Sequence, residues 1–119
     1  MVKKTYFNNL RKNQSYTDNV NVTDLSIKKF ASASGDKNPI HLNEKFAKNT
    51  IFKSRIAHGM LIASFISSVI GNKFPGNGTI YVSQDLKFKR PVRINDVVKI
   101  KIIVEKIIFL FIGFVLFKN

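Results

Sequence analysis

From Ala57 to Ile70 the chain reads AHGMLIASFISSVI, and every residue after His58 is apolar, small or a serine. A helix over this stretch has no charged face to turn toward water, so the pattern predicts a buried helix. The segment is too short and too rich in serine to cross a bilayer, which takes roughly 20 apolar residues. GNKFPGNG, from Gly71 to Gly78, supplies the turn residues that stop it. A buried helix in a chain of 119 residues obliges the other segments to cover it, and that length allows one core. The expectation is a single domain over residues 1–119.

The cover is legible downstream. In TIYVSQDLKFKRPV, Ile80, Val82, Leu86 and Phe88 share one parity while Tyr81, Ser83, Asp85, Lys87 and Lys89 take the other. That period of two predicts a strand with one wet face. DVVKIKIIVEKI repeats it, with Val98, Ile100, Ile102 and Val104 against Lys99, Lys101 and Glu105, and RPVRIND between them reads as a loop. Upstream, residues 1–15 form a polar, basic lead-in to a first strand near Tyr16 to Val22. Thr23 offers an N-cap to a helix over DLSIKKFASAS, with Leu25, Ile27, Phe30, Ala31 and Ser34 on one face, and Gly35 closes it. Asn43 caps a short turn over EKFAKN. The fold class implied is α+β, strands wrapped around one buried helix. The end of the chain, IIFLFIGFVLFKN from Ile107, lacks alternation. A buried last strand, an exposed patch that needs a partner, and an altered or truncated terminus all fit this atypical region of about 107–119.

Twenty Lys plus Arg against seven Asp plus Glu gives a net charge of +13, a field that attracts polyanions. Nucleic acid, anionic lipid and a phosphate-rich cofactor such as coenzyme A fit that charge, as does a simple bias toward Lys in the coding. The basic residues are scattered and the aromatics fall mainly at core parity, so no stacking platform for nucleic acid stands out and none is expected as a partner. With no Cys and two His, disulfides, zinc–thiolate sites and His-only metal cages are excluded, and no metal is expected. MVKKTYFNNLRKNQ carries the charges of a signal peptide without its apolar core, so a cytoplasmic protein without a membrane partner is expected.

Chemistry concentrates in SGDKNPIH, Ser34 to His41. Pro39 drives Asn38 out of the helical region and stiffens the turn. Such a turn can bring the Asp36 carboxylate and the His41 imidazole, five positions apart, to one small volume where they hold a single water. Adding or removing water across an activated double bond needs that arrangement: one group takes a proton from water and the other gives one to the neighbouring carbon. Taken singly, Gly35, Asp36, Asn38 and His41 read as caps and surface residues; capping does not require all of them together.

FASASGDKNPIHLNEKFA followed by IAHGMLIASFISSVIG and GTIYVSQDLKFKRPVRINDVV resembles the MaoC-like, (R)-specific enoyl-CoA hydratase family over about Thr23 to Glu105. The resemblance implies a hot-dog fold, an antiparallel sheet wrapped around a long central helix, in a homodimer. It implies reversible hydration of a trans-2-enoyl-CoA to an (R)-3-hydroxyacyl-CoA, with the acyl-CoA as substrate and no cofactor. By the same resemblance, Asp36 and His41 are the catalytic pair, Asn38 shapes their loop, Ser67 supports them, and the Gly59 N–H faces the thioester oxygen. Which of the pair is the base stays open in the sequence; His41 is assigned to water and Asp36 to carbon. His58, opening the buried helix, reads as structural. Lys53, Arg55, Lys87, Lys89 and Arg90 are candidates for the phosphates of coenzyme A, with a solvated face as the plainer reading of each. A (3R)-hydroxyacyl-[acyl-carrier-protein] dehydratase and a non-catalytic hot-dog subunit or binding module are the alternatives. The family continues with further strand where this chain ends in its apolar run.

Overall fold

The computed structural model describes residues 9–108 and 111–118. The first part of the expected basic lead-in, 1–8, and positions 109, 110 and 119 of the apolar C-terminal stretch lie outside them. The elements are β1 (Ser15–Asn21), α1 (Asp24–Ser34), α2 (Pro39–Leu42), α3 (Glu44–Lys48), α4 (Gly59–Asn72), β2 (Val97–Ile108) and β3 (Phe111–Lys118). By compactness the chain divides into two units, one made of 21–64 with 85–97, the other of the remaining segments.

The first unit shows how closely local chemistry sets helix ends. Thr23 caps α1 through a reciprocal pair of bonds, Ser26 N–H to Thr23 Oγ1 at 3.0 Å and Thr23 N–H to Ser26 Oγ at 3.1 Å. Gly35 ends the helix at φ 79°, a left-handed conformation that costs glycine nothing, and its N–H reaches Ala31 O at 2.9 Å. Of the expected apolar face only Ile27 and Ala31 are buried, while Leu25 is 60% exposed. Asn38 caps α2 by accepting from Ile40 N–H at 3.2 Å, with Pro39 at the first turn, and Asn43 caps α3 by accepting from Phe46 N–H at 2.9 Å. The loop before β2 closes through Arg93 N–H on Asp96 Oδ2 at 2.8 Å, with Asn95 at φ 72°. Ile27 is fully buried. Its replacement by Ala should lower unfolding free energy by about 2–5 kcal/mol, read from urea midpoints at constant slope.

The second unit holds the three-stranded sheet, in the order β1-β2-β3. Val98, Ile100, Ile102 and Val104 are buried on one parity of β2, as their alternation requires. β3 runs antiparallel to β2, with Ile102 opposite Leu116 and a register shift between Val104 and Lys106. The described part of the apolar C-terminal stretch, Phe111–Lys118, is therefore a paired strand in its backbone. On the other side of β2, Asn13 N–H donates to Val104 O at 2.7 Å and Val104 N–H to Gln14 O at 2.9 Å. Tyr16 stacks on Phe74 with ring centroids 5.9 Å apart, and Lys73 pairs with Asp18.

Two sequence expectations are corrected. Helix α4 is not buried all round: Met60, Ser64, Ser67 and Ser68 are exposed while Leu61, Ile62, Ala63, Val69 and Ile70 are buried. The spacing of the four places them on one side, and small hydroxyl residues do not force burial as a branched aliphatic does. The segment 79–89 forms no strand among the described residues, and Ile80, Val82 and Phe88 are 80%, 74% and 53% exposed. Alternation records which face prefers apolar surroundings, but a strand exists only by bonding a neighbour, and here none is supplied.

Candidate active site

Asp36 sits in the four-residue connection between α1 and α2, and the caps on either side fix its course. Its N–H donates to Ser34 Oγ at 3.1 Å, and its Oδ1 accepts from Asn38 N–H at 3.2 Å. Asn38 therefore holds Asp36 with its backbone and caps α2 with its side chain. His41, in α2, is half-buried and bonds through Nδ1 to Ile56 O at 2.8 Å. A carbonyl only accepts, so Nδ1 carries the hydrogen and the neutral ring keeps its lone pair on Nε2.

The segment from Arg55 to His58 grips this loop repeatedly. Ile56 N–H donates to Ile40 O at 3.3 Å. Arg55 Nε donates to His41 O at 2.7 Å, and its terminal nitrogen reaches Asp24 Oδ1 at 2.7 Å. His58 Nε2 bonds Asp36 O at 3.0 Å, and its ring stacks on His41 at 3.8 Å between centroids. The nearest potential ligand atoms of Asp36, His41 and His58 lie within 4.8 Å of one another. The two imidazoles are inclined by 28°, and each ring already spends one nitrogen on a carbonyl, which leaves one nitrogen with a lone pair on each. Such a set can move protons on a held water, and its atoms also lie close enough together to ligate a cation.

The other sequence candidates fall in different places. Gly59 opens α4, where first-turn N–H groups have no partner within the helix. A Cβ built on Gly59 would stand 3.0 Å from the Phe88 ring, so glycine allows that ring to close over it. Ser67 lies on the exposed side of α4, in the second unit. Arg55 has a side chain only 12% exposed and tied inside the chain, which makes it a strut between α1 and the loop. Lys53, Lys87, Lys89 and Arg90 are exposed. The Ile56 carbonyl was beyond sequence reasoning because every residue has one; the Arg55 link to Asp24 spans 31 positions. His58 did leave a signal, as the second of two histidines directly ahead of a helix-opening glycine.

Lys28, and after it Arg55, hold the Asp24 carboxyl below its ordinary pKa of 3.8. A depressed carboxylate adds stability above the unfolded value and loses it as pH falls through the folded one. Asp24→Asn should therefore be less stable than the parent at neutral pH, with the gap closing on acidification below 3.8, as urea titrations at several pH values would show.

The family model described as MaoC like domain matches residues 7–111, and the chain belongs to that family. An (R)-specific enoyl-CoA hydratase of Rhodospirillum rubrum is 52% identical over 93 residues, covering 78% of this chain and 65% of the relative. A 3-hydroxybutyryl-CoA dehydratase of Methylorubrum extorquens is 47% identical over 87 residues, covering 73% of this chain and 55% of the relative. This chain thus spans between half and two thirds of those relatives' lengths. Among solved structures, an unliganded R-hydratase from Pseudomonas aeruginosa superposes with a TM-score of 0.90 at 35% identity, over 99% of this chain and 78% of that one. The fold is the α+β hot-dog, as the sequence resemblance implied.

Proposed function

We propose that this chain is an (R)-specific enoyl-CoA hydratase, a hydro-lyase that adds water to a trans-2-enoyl-CoA to give the (R)-3-hydroxyacyl-CoA. The observation that carries it is the meeting of Asp36 and His41 on one capped loop, with the His41 tautomer set by Ile56. The pair shares one proton. As the water oxygen bonds to the β-carbon, His41 Nε2 takes a water proton while the Asp36 carboxyl gives its proton to the α-carbon, and transfer from His41 back to Asp36 restores the start. The charge building on the thioester oxygen meets the N–H of Gly59 at the positive end of α4; losing such a donor costs about 10²–10³ in rate. Each step moves only protons and the π electrons of the substrate, so the reading calls on no metal or organic cofactor.

Residues 1–119 act as one domain in this reading, supported by the continuity of α4 through both units. Homodimer formation belongs to it, supported by the exposed apolar side chains of Ile80, Val82 and Phe88. A cytoplasmic setting belongs to the same reading; no helix among the described residues is long and apolar enough to cross a membrane. Ser67 is assigned a supporting role on α4. A second reading, dehydration of a 3-hydroxyacyl group on an acyl carrier protein, is favoured by the net charge of +13, since an acidic carrier suits a basic surface. The test is loss of enoyl absorbance with crotonyl-CoA and with crotonyl carrier protein side by side. Turnover of the coenzyme A thioester supports the first reading, preference for the carrier supports the second, and inertness toward both overturns them.

A further inference from the structure

His58 is the most enclosed ionisable side chain around the pair, 2% exposed, and the proton shuttle just described leaves it unused. Its ring lies between two others, stacked on His41 at 3.8 Å and meeting the Phe30 ring edge-on at 4.8 Å. Its Nε2 points to the carbonyl of Asp36 at 3.0 Å, so Nε2 carries the hydrogen. Its Nδ1 is buried with no hydrogen-bond partner.

From this geometry we infer that His58 is the positioning residue of the catalytic pair, a bracket that fixes Asp36 and His41 relative to each other. Its side chain touches both members: it donates to the main chain of Asp36 and presses its face on the ring of His41. One rigid imidazole therefore ties the main chain that carries the carboxylate to the ring across which the water must lie. A displacement of about 1 Å in such a pair can cost on the order of 10²-fold in rate. His58 itself exchanges no proton with substrate. The inference rests on Asp36 and His41 being the pair, and it assigns to His58 the bond that keeps them in register.

Three substitutions test it in the full chain, with crotonyl-CoA as substrate. His58→Phe keeps the stacked ring and removes the donor. Its kcat should fall about 10–100-fold with KM within about threefold, the usual scale for groups that orient a functional side chain. His58→Gln places an amide N–H near the position of Nε2 and should recover most of the rate, whereas His58→Asn, one methylene shorter, should not. A folded His58→Phe chain with parental kcat would overturn the inference, and so would equal rates for the Gln and Asn variants, which stay informative if the Phe variant does not fold. Asp36→Asn run alongside separates the two claims: if it too keeps full rate, the hydratase reading fails, and if it alone is inactive, only the bracket fails.

Discussion

Asp36→Asn should lose about 10²–10⁴ of its hydration rate, the range attached to a positioned proton donor or acceptor, while staying folded. The amide has nearly the shape of the carboxyl, so its Oδ1 can still accept from Asn38 N–H, and the main-chain links of residue 36 to Ser34 and His58 are untouched. What disappears is the exchangeable acidic proton. Because Asp36 is exposed and carries no ion pair among the described residues, its stability should change by no more than about 0.5 kcal/mol. A loss confined to kcat, with the urea midpoint unmoved, is the expected signature.

His41→Asn should fall as far in rate, by about 10²–10⁴. Asparagine places an amide N–H close to the position of Nδ1, so the link to Ile56 O can survive, but it has no basic nitrogen where Nε2 stood. It also loses the stack on His58, an interaction of about 0.5–1.5 kcal/mol for aromatic pairs. The two variants should differ accordingly: both are slow, and only the one at position 41 is measurably less stable. Equal stability would mean that the stacked imidazoles contribute nothing to folding.

What could be read in the sequence was what short-range chemistry decides. Thr23 and Asn43 cap the helices they were expected to cap, because a side chain satisfying an N–H three positions away needs nothing from the rest of the fold, and Gly35 ends α1 through its own backbone. β2 forms where its alternation predicted because strands bond it on both sides, and the expected parity is the buried one. The segment 79–89 has the same alternation and no strand, which shows that the pattern alone cannot provide a partner. The loop of Asp36 and His41 was visible as a stiff turn carrying two useful groups. Its support was not, since Arg55, Ile56 and His58 reach it from 14 to 22 positions away. Arg55 illustrates the limit: charge suggested phosphate, whereas burial and two hydrogen bonds commit it to the loop.

The central claim is that one carboxyl and one imidazole act as a unit on one water. The most direct measurement is a double-mutant cycle on crotonyl-CoA hydration, comparing Asp36→Asn, His41→Asn and both together. Groups that share one proton should give a double variant about as slow as either single one, since removing the second part of a broken unit costs little more. Rate losses that multiply would contradict it, because two independent residues, each contributing on its own, would then account for the activity.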